Sequence, residues 1–480
     1  MNKGAVVAGV VVLAGVAYVG SSWYVGQQAE AKIRASIEQT NREFTILGSE
    51  LTSKGVVLSV KEYKRGIFSA DAVYVLTLNN LEDGPVELSI ADHLQHGPFP
   101  LDALKEGDFT PMLAYSQAHL LPAPVIQPWF DSQNAKSPLL AKTRIGMDGK
   151  GRSVWTLSPA EYAKNGTQVS FSGGLVQVDF SNDFKDSVST GQFDSLRIQD
   201  SSDASTLVLN GMKLDGTAKR DGDKATLNSR LTMDKLALAG SDELTIDNVA
   251  ITIDSLQTGK LLDGSIHYQL GHLTSGKADL GGVDFTFGAQ KLDMAALSDL
   301  ANTYEQMYSA QAAQDDTMPQ LDDQQQALLQ EKLFTLLASQ PSLSANPIVW
   351  KNSAGESKAS LLLDLAAPTD AAAALQDPMA ALTQILKKLQ LDVSVSRAMF
   401  IQAFSQLQKG ADASADLDQA KALAAAFYDQ YVTGFQEIGL LKATDEGATL
   451  ALVYQNGNIL MNGTEMSVQE FVMLMMVLAM

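Results

Sequence analysis

The chain has 480 residues, a formal net charge of −20 at pH 7 and no cysteine. Such an acidic surface repels phosphate groups, which argues against nucleic-acid binding and against electrostatic attachment to anionic lipid, and the absence of cysteine excludes disulfides, thiolate chemistry and lipoprotein attachment. Hydrophobic residues make up 45 % of the sequence, as in ordinary globular proteins, and the length exceeds the ~250–300 residues at which one core stops growing, so we expect two domains.

An apolar segment opens the chain. Residues 4–25 follow Lys3 and end with Trp23 and Tyr24, which favour the membrane interface. A membrane-spanning helix needs roughly 20 mostly apolar residues, and this segment supplies them. We therefore predict a cytoplasmic terminus at residues 1–3 and a single transmembrane anchor at residues 4–25.

The alternative for this segment is a secretory signal that is cleaved from the chain. The apolar stretch is longer than the usual signal core of about 7–15 residues, and Tyr18 and Val19 crowd the place where small residues would mark a cleavage site. We favour the uncleaved anchor. Because long domains translocate largely regardless of flanking charge, we expect the bulk of the chain outside the cytoplasm.

The next two segments differ in the spacing of their apolar residues. Residues 26–44 predict a membrane-proximal helix, since Ile33 and Ile37 lie four positions apart among alternating charges. Residues 45–290 predict a large antiparallel β-rich domain, because apolar and polar residues alternate there, and Pro100 to Pro138 predicts a long loop with a short helix. Turn signals in this domain are Asp148-Gly149, Asn210-Gly211, Asp215-Gly216, Asp221-Gly222 and Asp263-Gly264.

Beyond residue 290 the dominant period becomes helical. Apolar residues at helical spacing predict several helices between 297 and 435, and short strands are predicted at 360–365, 391–395, 449–454 and 459–461. Residues 291–480 therefore predict a mixed helical and strand region. The fold class of the whole chain is α+β, with one transmembrane helix, a β-rich domain and this C-terminal region.

The chain ends with ten consecutive apolar residues, too few to span a membrane. A helix that is apolar on all sides must be covered. It either docks into the core of its own domain or offers an adaptable methionine-rich surface to lipid or to a partner chain. The candidate hydrophobic contact surface comprises Phe471, Met473, Met475, Met476 and Met480.

Two short motifs stand out in the β-rich domain, 64–69 (KRGIFS) and 96–99 (HGPF). Gly97-Pro98 is expected to end the preceding strand, because proline lacks a ladder donor. His96 is expected to stabilise that turn rather than to act as a ligand or catalyst. We treat His96, Gly97 and Pro98 as a motif of unknown role.

These motifs, one N-terminal anchor and the closing segments 454–457 (YQNG) and 462–463 (NG) resemble the YdgA family. The resemblance extends over nearly the whole length and rests on the order of the motifs. It implies a bacterial inner-membrane anchor with a periplasmic body. It implies no reaction, so it transfers no functional residues.

The residues with catalytic or ligating chemistry show no convergent spacing. His93 and His96 lie three apart in a strand-and-turn context, and His267 and His272 lie five apart on a strand, so neither pair predicts a metal site. The glycine-rich segment 146–153 lacks the lysine and the following helix of a phosphate loop, which favours a hairpin. We predict no catalytic residue, metal or cofactor, and an enzyme is the less favoured class.

Three functions remain open from the sequence. The first is a non-enzymatic envelope protein whose extended sheet holds a hydrophobic ligand, such as lipid, or an envelope protein partner. The second is an assembly or scaffolding protein of the inner membrane that self-associates, for example as a homodimer, through strand edges and the apolar tail. The third is a periplasmic hydrolase with dispersed residues, which requires a histidine near a carboxylate and a hydroxyl.

Overall fold

The computed structural model describes residues 41, 56–79, 84–164, 166–181, 185–201, 204–240, 243–312, 322–411, 416–455, 457–471 and 473. The predicted terminus at 1–3 and anchor at 4–25 lie outside these ranges, as does the predicted helix at 26–44 except for Asn41. Every helix inside these ranges is too short or too polar to serve as a membrane span.

The contacts between residues divide the chain into two compact units, Met1–Ser241 and Asp242–Met480, called unit 1 and unit 2 below. The domain boundary predicted near residue 290 lies inside unit 2, close to the end of a strand. The prediction of a large antiparallel β-rich fold with some helices is confirmed.

Unit 1 consists mainly of strands. Two short helices, α1 (Leu101–Lys105) and α2 (Gln127–Ser132), lie before and after its fourth strand. The strands are β1 (Val56–Arg65), β2 (Ser69–Leu78), β3 (Val86–His96), β4 (Met112–Leu120), β5 (Leu139–Gly146), β6 (Gly151–Leu157), β7 (Ala160–Lys164), β8 (Thr167–Phe171), β9 (Gly174–Phe180), β10 (Asp186–Asp200), β11 (Thr206–Asp221) and β12 (Lys224–Ala239).

Most strands of unit 1 pair with their neighbour in the sequence, and all the pairings are antiparallel. β1 to β6 pair in order, β6 then pairs with β9, and β9 to β12 continue in order. The hairpin of β7 and β8 joins the sheet through β10. The long loop predicted from Pro100 to Pro138 was therefore wrong in part, because that segment contains β4, which pairs with both β3 and β5.

Two of the five predicted turns are correct, namely Asp148-Gly149 and Asp221-Gly222. The other three were wrong, because those dipeptides lie inside β11 and β14 (Leu261–Ser275). A Cβ atom at Gly211 would collide with the carboxylate of Asp234, and one at Gly264 would lie 3.2 Å from the carbonyl oxygen of Asp254. These glycines permit close strand approach and do not reverse the chain.

The core of unit 1 lies on one face of β1–β6 and β9, with α2 against it. Its side chains alternate along each strand, as the sequence predicted, and large members such as Leu94, Leu139 and Trp155 are at most 2 % exposed. This unit therefore completes its own hydrophobic core.

Unit 2 combines long strands with helices inserted between them. Its strands are β13 (Leu244–Thr258), β14 (Leu261–Ser275), β15 (Ala278–Asp293), β16 (Ser342–Asn352), β17 (Gly355–Leu365), β18 (Leu386–Ser396), β19 (Lys442–Thr444), β20 (Gly447–Gln455), β21 (Asn458–Met461) and β22 (Thr464–Ser467). Its helices are α3 (Met294–Ala312), α4 (Asp323–Leu337), α5 (Ala371–Gln376), α6 (Pro378–Ile385), α7 (Arg397–Ala411) and α8 (Leu417–Glu437).

The strands of unit 2 form an antiparallel meander. β13 to β18 pair in order, β18 pairs with β20, and β20 to β22 continue, while β19 also pairs with β20. β16 was not predicted from the sequence, and the strands that were predicted as short are longer members of this sheet. Each helix pair follows one strand and precedes the next, so the helices interrupt the chain without interrupting the sheet.

Candidate functional site

One face of the unit 2 sheet is apolar across several strands. Opposing residues in the register are apolar on both strands, as where Ile251 faces Tyr268 and Tyr268 in turn faces Phe285. The same match continues through β16, β17 and β18. We define the apolar face of β13–β18 by Ile251, Ile253, Ile266, Tyr268, Leu270, Val283, Phe285, Phe287, Leu343, Ile348, Leu361, Leu363, Leu389 and Leu391.

This face is not closed by packing as the core of unit 1 is. Its members are half-buried, and Phe287 is 49 % exposed. By contrast, Leu88 and Ile90, at equivalent alternating positions of β3, are fully buried. An antiparallel sheet normally packs its apolar face on a core and leaves its polar face in water. The apolar face of β13–β18 departs from that arrangement.

Three aromatic side chains form a contiguous row on the face, of which Phe287 is the most exposed. The rings of Tyr268 and Phe285 stack with their centroids 4.8 Å apart, and Phe285 meets Phe287 edge to face at 5.5 Å. Such ring pairs contribute about 0.5–1.5 kcal/mol each beyond the area that they bury. These contacts therefore fix the positions of the three rings even when no ligand is bound on the face.

The opposite face of the same strands is polar. His267 Nε2 lies 2.8 Å from Asp284 Oδ1, and Gln269 Nε2 donates to Asp284 Oδ2 at 3.1 Å. These three side chains alternate with Ile266, Tyr268 and Leu270 along β14, and with Val283 and Phe285 along β15. The sheet is thus amphipathic: one face is apolar and half-exposed, and the other face is polar.

One end of the apolar face is covered by the C-terminal part of the chain. Leu452 and Tyr454 of β20 with Ile459 and Met461 of β21 are buried, and Phe471 packs against this cluster. Phe471 thus contacts the core of its own unit, whereas Met473 is exposed. The other members of the predicted contact surface, Met475, Met476 and Met480, lie outside the described residues.

Unit 2 also contains an open cleft of about 1660 Å³ beside α7. Helix α7 is tied to the sheet by Asn352 Nδ2, which donates to the carbonyl oxygen of Met399 at 3.0 Å. The charged residues that line the cleft are balanced in sign, so the cleft selects neither cations nor anions. They are Lys277, Lys358, Arg397, Lys421, Glu243, Glu356, Asp445 and Glu446.

The motif of His96, Gly97 and Pro98 forms the turn after β3. Gly97 has a φ of 112°, a backbone conformation that residues other than glycine rarely adopt. The backbone N–H of His96 donates to the carbonyl oxygen of Phe68 at 2.9 Å. Within the described part of the chain, His96 Nδ1 is buried without a hydrogen-bond partner, and burial together with nearby Arg65 lowers its pKa.

His93 and His272 each contact a separate surface carboxylate, whereas His119 is exposed on β4. His93 Nδ1 lies 2.6 Å from Asp71 Oδ1, and His272 Nε2 lies 3.6 Å from Asp279 Oδ1. His93 also lies beside the amide of Gln95, at 3.3 Å. No group of three metal-binding side chains converges among the residues that the structure describes.

The core of unit 1 holds a polar residue that the sequence analysis missed. Asp92 is buried on the same face of β3 as Ile90 and Leu94, and burial raises its pKa to about 7. The available signal was its spacing, because Asp92 falls two positions from each of those apolar neighbours. It contacts Ser116 on β4 and is only 4 % exposed, so we assign it to the core and not to a ligand site.

Comparison with known proteins gives a whole-length match without a known activity. A family described as "Bacterial protein of unknown function (DUF945)" matches residues 1–469. The protein is similar to "Protein YdgA" of Escherichia coli (strain K12), with 28 % identity over 98 % of this chain and 96 % of the relative. It is also similar to "Uncharacterized protein YihF" of the same organism, with 26 % identity over 96 % of this chain and 97 % of the relative. No solved structure matches the chain.

Proposed function

Because the chain belongs to the DUF945 family of bacterial proteins of unknown function, we propose its function from geometry: unit 2 binds the acyl chains of a lipid on the apolar face of β13–β18. The resemblance to the YdgA family that the motifs indicated is confirmed. The relatives supply no reaction, and the proposal is accordingly one of binding.

The observation that carries the proposal is the exposure of a register-matched apolar face. An apolar surface gains about 25 cal/mol for each Å² that leaves water, so a half-exposed face of many residues favours whatever covers it. Contiguous exposed patches of this kind mark interaction sites in soluble domains. In this chain the patch occupies one face of six neighbouring strands, while the other face is polar.

The chemistry of the face favours an acyl chain as the occupant. Its side chains are aliphatic and aromatic, and the residues that define it include no charged group. Six strands at a spacing of about 4.8 Å make a face about 24 Å wide, which exceeds the ~15 Å thickness of one hydrocarbon leaflet. An extended acyl chain therefore fits across it without folding.

The proposal includes the location expected from the sequence. An anchor at residues 4–25 would hold the chain at the bacterial inner membrane, with both units in the periplasm, where lipid is at hand. Support for this part is the apolar composition of residues 4–25. The absence of cysteine is compatible with a compartment in which folding relies on burial alone.

Native mass spectrometry of the full chain, extracted in a mild detergent, tests lipid binding. We expect the folded protein to carry lipid and the variant Phe287→Asp to carry at least about tenfold less, because a charge on the face opposes an acyl chain. The matched control is Leu256→Asp, which places the same charge at an exposed position on the polar face of β13.

Two outcomes contradict the proposal. In the first, equal loss of lipid from Leu256→Asp and Phe287→Asp shows that the face is not the binding surface. In the second, the wild-type chain carries no lipid and sediments as a dimer whose association is abolished by Phe287→Asp. That result assigns the face to a second copy of the chain and favours the scaffolding function.

A further inference from the structure

One end of unit 1 exposes several large apolar side chains on neighbouring loops. Ile67 and Phe68 lie in the turn between β1 and β2 and are 88 % and 77 % exposed. Four others, each more than half exposed, lie in the β3–β4 connection and in the β5–β6 turn. We call this set the apolar tip; its members are Ile67, Phe68, Phe99, Leu101, Phe109 and Met147.

The register of the strands brings these loops together. Ser69 pairs with Gln95, and the carbonyl oxygen of Phe68 accepts a hydrogen bond from the N–H of His96, so the first two loops are adjacent. Met112 pairs with Gly146, which places the β5–β6 turn at the same end. Strands of nine or ten residues separate this end from the opposite one by about 30 Å.

The loops of the apolar tip have defined backbones. The N–H of Gly66 donates to the carbonyl oxygen of Ser69 at 2.7 Å, which closes the first turn. Gly97 adopts its positive φ at the start of the second loop, where Met112 N–H donates to the carbonyl oxygen of Pro98 at 3.1 Å. The exposed side chains are therefore presented by fixed turns, and the motifs 64–69 and 96–99 build those turns.

The charges around the apolar tip differ from those of the chain as a whole. The net charge of the chain is −20, yet the acidic residues Glu62, Asp102, Glu106 and Asp108 near these loops each pair with a cation. Asp148 in the β5–β6 turn has no ion pair among the described residues, and its Oδ1 accepts a hydrogen bond from the backbone N–H of Lys150 at 3.1 Å. Lys61, Arg65 and Lys150 have no carboxylate partner among the described residues, so the basic residues at the tip outnumber the acidic ones even when Asp148 is included. The ion pairs are Glu62 with Lys64, Asp102 with Lys105, Glu106 with Lys142 and Asp108 with Arg144.

We propose that the apolar tip inserts into the surface of a phospholipid bilayer. Large apolar side chains flanked by basic residues are the composition that binds at the boundary between headgroups and acyl chains. Free cations complement anionic headgroups near the surface, whereas the acidic remainder of the chain opposes general electrostatic attachment. The six side chains project from three separate loops, and a fluid lipid surface conforms to such a shape more readily than a folded partner does. This contact is independent of acyl-chain binding in unit 2.

The full chain offers a direct test because it contains no cysteine. Single variants Phe68→Cys and Phe99→Cys carry an environment-sensitive nitrobenzoxadiazole label, and Val125→Cys carries it at the opposite end of unit 1, where Val125 is 45 % exposed. The probe is a vesicle of phosphatidylcholine and phosphatidylglycerol with or without a nitroxide-bearing lipid. We expect both tip labels to shift to an apolar spectrum and to be quenched by the nitroxide, and the Val125 label to remain aqueous.

A second set of variants separates insertion from other causes of a shift. With the label at Phe99→Cys, the pair Ile67→Asp and Phe68→Asp should raise the vesicle concentration needed for half of the shift at least about tenfold. Val125→Asp should leave it unchanged. These positions are exposed, so their substitution leaves the folded core intact.

Three results overturn the proposal. In one, the chain floats with the vesicles while the tip labels keep their aqueous spectrum, which shows attachment by another segment alone. In another, the chain does not bind vesicles. In the last, the Phe68 label shifts without lipid as protein concentration rises, which assigns the apolar tip to a second copy of the chain.

Discussion

The carboxylate of Asp92 accepts a hydrogen bond of 2.6 Å from Ser116 Oγ inside the hydrophobic core of unit 1. Burial disfavours the charged form and raises the pKa of Asp92 to about 7, although the Ser116 hydrogen bond acts in the opposite direction. A carboxyl that is protonated in the fold and ionised in the unfolded chain makes stability depend on pH.

We expect the free energy of unfolding of unit 1 to fall as the pH rises from about 4 to about 7. Between these pH values the native state keeps the Asp92 proton and the unfolded chain releases it. The stability of the fold that depends on this proton is therefore fully present below pH ~4 and lost above pH ~7. Three units of pKa correspond to a loss of up to about 4 kcal/mol. Urea unfolding of the full chain at pH 5 and pH 8 measures the difference.

The variant Asp92→Asn isolates this effect, since its amide is neutral at both pH values and can still accept from Ser116 Oγ. It should be more stable than the wild type at pH 8 by up to about 4 kcal/mol. Asp194→Asn, at an exposed position of the same unit, should change stability by less than about 0.5 kcal/mol. An unchanged pH dependence in Asp92→Asn means that another group is responsible.

The openness of the apolar face predicts dye binding by the lipid-free protein. The double substitution of Phe287→Ser and Leu343→Ser should lower the fluorescence of bound anilinonaphthalene sulfonate, because both side chains are exposed members of the face. Stability should fall by roughly 2–4 kcal/mol, because about half of Phe287 and more than half of Leu343 is buried, so the dye is added under conditions in which both proteins are folded. The control is Leu256→Ser on the polar face, and an equal fall in fluorescence there contradicts the prediction.

Glycine at position 97 is required by its backbone conformation rather than by space. Apart from its two chain neighbours, no residue that the structure describes has an atom within 4 Å of where a Cβ would stand, yet φ is 112°. Gly97→Ala should therefore destabilise unit 1 by about 1–3 kcal/mol. Gly434→Ala in α8 has equal space without a positive φ and should stabilise its helix by about 0.5–1 kcal/mol. Thermal unfolding that moves both variants in the same direction contradicts this account.

The closing motif of the family resemblance has a structural explanation. Asn462 Nδ2 donates to the carbonyl oxygens of Gly439 and Leu440, and Asn462 Oδ1 accepts from the N–H of Ala451. Because Asn462 is buried, Asn462→Ala should destabilise unit 2 by about 2–4 kcal/mol. Asn458→Ala, at an exposed position of β21, is the control in chemical denaturation, and equal destabilisation contradicts the role assigned to Asn462.

Alternation in the sequence located the strands well and their exposure poorly. The runs around Ile251 and Ile266 predicted half-buried strands, and both are strands. The same pattern occurs in β3, where the apolar side is closed by a core, and in β14, where it is half open. The alternation of apolar and polar residues shows which residues share a face of the sheet. Whether other parts of the protein pack on that face depends on segments that are distant in the sequence. The candidate site could therefore be predicted as a surface but not as an open one.

Local signals failed where tertiary pairing decided the structure. Asn210-Gly211 is typical of a tight turn, yet β11 continues through it because both neighbouring strands pair along its length. Asp92 breaks the apolar run of β3 and is nevertheless buried, since small Ala72 and Ala118 lie beside it in the register. Neither outcome depends on residues close in the sequence.

The order of strand pairing in unit 2 has a consequence for how the protein is made. Most of its strands pair with the strand that precedes them in the chain, and within β13–β15, β16–β17 and β20–β22 only a short turn separates the partners. Short separations lower the entropy lost in closing loops and speed folding. A polypeptide emerging from its amino end can thus add one strand at a time to a growing edge, so most of this sheet can form before synthesis of the chain is complete.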